Sequence, residues 1–269
     1  MGLPGGLPRS RASPMAAAPT LREWLREEPF TLSMSSGFFA FYAHTGFFSV
    51  LEEEGILPAK VSGSSAGALV TGMWAAGVTA AAFWQQLLAI ERSDFWDPKL
   101  GWGLLAGQRF QKRLAGILPV QSIEACHAPL SVSLFDVGLR RTVVRTTGPL
   151  AATLRASCAV PGLFHPVRIE GRLYVDGGMA DRPGLAGVRV GERTLFHHIE
   201  SRSFGRRKGE LAIPRRANMQ AVVLQDLPRS GPFRLEAGRD AFHAARLQTR
   251  RALDREVRGV GSELEVLRA

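Results

Sequence analysis

Cysteine is nearly absent from the chain: Cys126 and Cys158 are the only two in 269 residues. Two thiols in a chain of this length make no disulfide framework and call for no oxidising compartment, so both are expected as reduced, buried thiols. Histidine is also scarce, with six in all. No His and Cys pattern has metal-ligand spacing and no calcium loop occurs, so neither a metal nor a cofactor is expected. Acidic residues are missing before Glu23. The opening "MGLPGGLPRSRASPMAAAPT" is rich in Pro, Gly, Ala and Ser, and a disordered tail is expected over residues 1–28. It has no continuous apolar core of the secretory type, and Gly6 stands where an N-myristoylation motif wants Ser or Thr. An acid-free start bearing arginines also leaves an organelle transit peptide open. Charge of either sign is absent from residues 30–51 and 61–90. Glycines and hydroxyl residues break both stretches, and Gly77-Val78-Thr79 reads as a helix stop and restart. Buried strand-turn-helix passages explain them better than membrane spans, and a cytoplasmic protein is expected.

What is present is globular: 45% hydrophobic and 22% charged residues suit one domain, placed at residues 29–260, with a C-terminal tail over 261–269. The net charge of +10 favours anionic partners. Its excess lies in Arg206-Arg207-Lys208, in Arg215-Arg216 and along residues 238–258, without interleaved aromatics, so nucleic acid is not expected. Over 238–258, Ala241, Phe242, Ala245 and Leu253 line up at helical spacing, with Arg239, Arg246, Arg250 and Arg251 around them. Such a stripe fits either a helix packed on the core with a solvated basic rim or a peripheral contact with an anionic membrane.

From residue 30 the pattern runs strand (30–34), small-residue loop (35–37), aromatic-rich helix to about 54, strand ending at 62, sharp turn, and helix to about 76. This β-loop-α-β-turn-α opening marks a parallel sheet flanked by helices. Helices are expected over 80–90, 108–117 and 149–158, and strands over 129–137, 142–145, 173–175, 194–200 and 219–224.

Two motifs carry chemistry. Gly63-Ser64-Ser65-Ala66-Gly67 reads G-x-S-x-G, which places Ser65 on a tight strand-to-helix turn with its hydroxyl exposed. Asp176-Gly177-Gly178 sets a carboxylate at a strand end, where two glycines let the backbone turn at once. Between them lies Ala156-Ser157-Cys158-Ala159-Val160-Pro161-Gly162-Leu163-Phe164, and before them His44-x-Gly46 leads into Val50-Leu51-Glu52-Glu53-Glu54-Gly55. With these four stretches in this order, residues 30–181 resemble the patatin-like phospholipase family. The resemblance implies a three-layer α/β/α sandwich with a mostly parallel central sheet and a lipid acyl hydrolase. Ser65 would be the nucleophile and Asp176 its base, without a histidine, and Gly63, Gly67, Gly177 and Gly178 would form the two turns. The family's glycine-rich oxyanion loop, G-G-G-x-R/K-G, corresponds here to "SGFFAF". Ser36, Gly37 and Phe38 are then the candidate oxyanion residues, and the loop's usual cation is replaced by Ala40. Backbone N–H groups make such a hole, and serine and phenylalanine own them too. Phospholipid, lysophospholipid and acylglycerol all fit as substrates.

Two other readings stay open. A Ser-Asp-His triad with His197 or His198 as base respects chain order, although few residues precede Ser65 for that fold. A lipid-binding protein without turnover is the second. A phosphate cradle at "GSSAGAL" lacks the G-K-[ST] ending.

Overall fold

The structure is a computed structural model and describes residues 18–200, 213–257 and 267–268. The basic cluster at 206–208 and most of both expected tails lie outside the described residues.

The main sheet contains β1 (Thr31–Met34), β2 (Lys60–Ser64), β4 (Leu130–Asp136), β5 (Arg141–Arg145), β7 (Val167–Ile169), β8 (Arg172–Asp176), β9 (Thr194–Ile199), β10 (Met219–Leu224) and β11 (Leu267–Arg268). Two short strands, β3 (Gly103–Leu105) and β6 (Gly162–Phe164), pair separately. The helices are α1 (Leu21–Glu27), α2 (Phe41–Glu53), α3 (Ala66–Ala75), α4 (Ala80–Leu88), α5 (Gln108–Ile117), α6 (Leu150–Ser157) and α7 (Ala237–Leu253). Strand order is β11-β10-β9-β1-β2-β4-β8-β7, with β5 also on β4. From β11 to β4 every pairing is parallel, whereas β5, β7 and β8 join antiparallel. The expected α/β sandwich with a mostly parallel sheet flanked by helices is the architecture found. Strands β1 and β9 are buried along their whole length, which is why they read as continuous runs instead of alternating ones.

One feature of this topology sets the site. β2 pairs with the first half of β4 and ends at Ser64 opposite Ser133. β8 pairs antiparallel with the second half of β4, so that Asp176 lies opposite Leu134. Because β5 pairs with β4 across both halves, β2 and β8 share its other edge. They meet end to end there, and the residues at their tips, Ser65 and Asp176, are brought together although 111 positions separate them.

Three expectations change. Residues 18–28, expected as part of the tail, belong to the fold: Thr20 and Glu23 form a capping box, Leu21, Trp24 and Leu25 are buried, and Arg193 stacks on Trp24 at 3.9 Å. At the other end, Leu267–Arg268 extends the sheet instead of trailing from it. Of the two readings of the α7 stripe, the helix packed on the core is the one found. Ala241, Phe242, Ala245 and Leu253 are buried, Phe242 stacks on Trp84 at 3.8 Å, and Arg246 and Arg250 pair with Glu53. Gly46 makes this possible, since any side chain there would run into the Phe242 carbonyl. Both cysteines are free, and they are half-buried, more open than expected.

Candidate active site

Ser65 stands between β2 and α3 with φ 52° and ψ −122°, a conformation that side chains rarely adopt. The two flanking glycines permit it. A Cβ at Gly63 would strike the backbone of Gly67 and Ala68, and one at Gly67 would strike the carbonyls of Met34 and Ser35 at the end of β1. The turn is held from outside as well: the Ser65 N–H donates to Ser157 Oγ at 2.9 Å, and Ser157 Oγ donates to the Ser133 carbonyl at 2.8 Å. Ser157 thus ties the elbow to β4. Its motif was visible in the sequence, but this function was not.

The hydroxyl of Ser65 donates to Asp176 Oδ2 at 2.7 Å, and the Gly178 N–H donates to Asp176 Oδ1 at 2.8 Å. Gly177 and Gly178 are required here because side chains would meet the Ser133 carbonyl and the Ser36 side chain. Ser65 and Asp176 are both buried. Burial pushes the Asp176 carboxyl up to about 6, against the hydrogen bonds from Ser65 and Gly178 that favour its charged form. The Cys158 thiol, on the same cavity wall, is pushed up by burial and then by the Asp176 charge, so it stays protonated and is a poor nucleophile beside Ser65.

The loop after β1 differs in part from expectation. The N–H of Ser36 donates to the Arg182 carbonyl at 2.8 Å, so it is spent within the protein and is removed from the oxyanion candidates. Among the described residues, no protein acceptor meets the N–H groups of Gly37 and Phe38. Phe39 supplies the turn with φ 54°, doing the work of the missing glycine, and the Ala40 N–H closes it on the Gly37 carbonyl at 3.2 Å.

Neither histidine of the triad reading bonds to Ser65. His197 Nδ1 lies 2.9 Å from His44 Nδ1, and His198 Nδ1 lies 2.9 Å from Ser35 Oγ. His44 Nε2 reaches the Ser35 carbonyl at 2.9 Å. Burial drives His44 down to about 3 and His198 to about 4, and it holds His197 well below the ordinary range, so all three are neutral.

Ser65, Asp176, Gly37 and Phe38 open onto a cavity of about 490 Å³. Its walls are apolar, with Leu69, Phe83, Phe95, Phe110, Leu114 and Phe164 prominent among them. Among the described residues no helix is long and apolar enough to cross a membrane.

The sequence profile described as "Patatin-like phospholipase" matches residues 32–187. An NTE family protein of Mycobacterium tuberculosis is 34% identical over 161 residues, which is 58% of this chain and 44% of that protein. The protein named lysophospholipase NTE1 of Mycosarcoma maydis is 29% identical over 164 residues, 57% of this chain and 9% of that protein. The chain therefore spans less than half the length of these curated relatives. VipD from Legionella pneumophila superposes with a TM-score of 0.59 over 84% of this chain and 67% of that one, at 15% identity, a likeness of fold.

Proposed function

The chain belongs to the patatin-like phospholipase family, and from that footing we propose that it is a serine acyl-ester hydrolase of lipids working through Ser65 and Asp176. The observation that carries the reading is the 2.7 Å contact between the Ser65 hydroxyl and a buried carboxylate. A serine hydroxyl needs a base within hydrogen-bond reach, and a carboxyl raised to about 6 is ionised at neutral pH yet takes a proton far more readily than a solvated one.

In the first half-reaction Ser65 Oγ attacks the ester carbonyl and its proton passes to Asp176 Oδ2. The carbonyl oxygen becomes negative and accepts hydrogen bonds from the Gly37 and Phe38 N–H groups, with the N-terminal end of α3 adding favourable potential. Collapse expels the alcohol, which takes the proton from Asp176, and leaves an acyl-serine. Water then attacks that ester, gives its proton to Asp176, and frees the fatty acid as Ser65 recovers the proton.

The cavity supports a lipid with one long acyl chain in the site. At about 490 Å³ it lies within the range of small-molecule pockets, about 300–1,000 Å³, and its apolar walls suit a hydrocarbon chain. Lysophospholipid and monoacylglycerol fit this description directly. The test is release of fatty acid from a lysophosphatidylcholine and a monoacylglycerol by the wild-type protein and by Ser65→Ala. Release abolished by the substitution supports the reading. Equal release by both proteins contradicts it.

A further inference from the structure

Ser35 is the last residue before the loop that offers the Gly37 and Phe38 amides, and all three of its polar groups are held by histidines. Its N–H donates to the His197 carbonyl at 3.1 Å, its carbonyl faces His44 Nε2 at 2.9 Å, and its hydroxyl faces His198 Nδ1 at 2.9 Å. The proton positions follow from the acceptors. A carbonyl cannot donate, so His44 carries its hydrogen on Nε2. Neutral His44 then has a bare Nδ1, and the 2.9 Å contact requires His197 to donate to it from its own Nδ1. His197 Nε2 is left as a bare lone pair, and among the described residues it has no partner. The reverse assignment would bury a cation on His44 and an unmet N–H on His197, both costlier than an unmet acceptor. Phe47 stacks on the His197 ring at 3.8 Å and fixes its plane.

We propose that His44, His197 and His198 are positioning residues that grip Ser35 in one tautomeric arrangement, Nε2–H on His44 and Nδ1–H on His197, and so hold the Gly37 and Phe38 N–H groups where the oxyanion forms. This rests on the reading of that loop as the oxyanion hole. The grip also explains how a loop with one glycine in place of several keeps its shape. The stabilising contacts come from behind it, from α2 and β9, instead of from glycine's freedom to adopt a tight turn. Among the described residues, the polar and charged groups facing the three rings are Ser35, the rings themselves and, beside His198, the Arg182 charge, which further disfavours a proton there. A proton added between His44 and His197 would set two N–H groups against each other at 2.9 Å.

Two measurements test the proposal. In the wild-type protein, ¹⁵N-histidine NMR at pH 7.5 should find His44 as the Nε2–H tautomer and His197 as the Nδ1–H tautomer. His197 as Nε2–H would overturn the assignment without any reference to activity. In kinetics on a short soluble ester, His44→Leu should lower kcat roughly 10- to 100-fold with KM little changed, the scale for misplacing an oxyanion donor. His44→Gln, whose amide can still donate to the Ser35 carbonyl, should recover most of the loss. A folded His44→Leu protein with kcat within twofold of wild type would refute the positioning role. Should Ser65→Ala keep its turnover, the catalytic reading fails instead, while the tautomer result stands or falls on its own.

Discussion

Asp176→Asn should do two opposite things, inactivate the protein and stabilise it. The carboxyl sits at about 6 instead of 3.8, raised by burial. Two units at 1.36 kcal/mol each mean that the folded state carries about 3 kcal/mol of unfavourable free energy when this group is ionised. The sign is that of a raised acid: stability is lost as pH rises through about 6, and nothing is lost below 3.8, where the group is protonated in both states. Asparagine has nearly the same shape, and its Oδ1 can still accept from Gly178, so the change removes the buried charge and little else. At pH 8 the variant should therefore be more stable by about 1–3 kcal/mol, a rise in melting temperature of roughly 3–10 °C for a domain of this size. The gain should shrink towards zero as pH falls from 6 to 4. Ester hydrolysis should fall on the order of a hundredfold or more with the base gone. Thermal melts of both proteins from pH 8 to pH 4, alongside turnover of a short soluble ester, read both effects. A variant that melts lower than wild type at pH 8, or by an amount independent of pH, would refute the claim that Asp176 is a strained buried carboxylate. Retained turnover would refute its role as base.

In wild-type protein, kcat/KM for the same ester should follow one ionisation near pH 6 and drop about tenfold per unit below it; a flat profile from pH 7 to pH 5 would contradict a buried carboxylate base. Acid should also unfold the protein steeply. His44, His197 and His198 stay neutral in the fold but protonate below about 6.5 once unfolded, so each removes about 1.4 kcal/mol per pH unit, while Asp176 returns the equivalent of one. The net is about 3 kcal/mol per unit between pH 6 and 4, and urea titrations across that range should show it; a slope near zero would mean that the histidines are not buried neutral. Gly67→Ala forces a methyl against the Met34 and Ser35 carbonyls and should cost about 1–3 kcal/mol together with most activity; a stable, active variant would contradict the close approach of α3 to β1.

Residues whose role is local were readable in the sequence. Ser65 and Asp176 stand in motifs whose glycines announce sharp turns, and the strands and helices from β1 to α3 followed from two charge-free runs, the first ending at the Glu52-Glu53-Glu54-Gly55 helix stop and the second broken at Gly77. What escaped depends on long-range partners. The capping box of Thr20 and Glu23 was written in the chain but lay inside a stretch whose composition spoke for disorder. The loss of the Ser36 N–H to the Arg182 carbonyl follows from two loops that only the sheet brings together. His44 and His197 are 153 positions apart, and no spacing rule links them. For α7, periodicity marked an apolar face correctly, yet it could not say that α2, opened by Gly46, would cover it.

Covalent labelling with a fluorophosphonate, followed by peptide mapping, asks whether Ser65 is the nucleophile. The adduct should sit on Ser65 and on neither Ser64 nor Ser157, and labelling should vanish in Ser65→Ala and slow sharply in Asp176→Asn. An adduct on another serine, or labelling that persists in Ser65→Ala, would contradict the account.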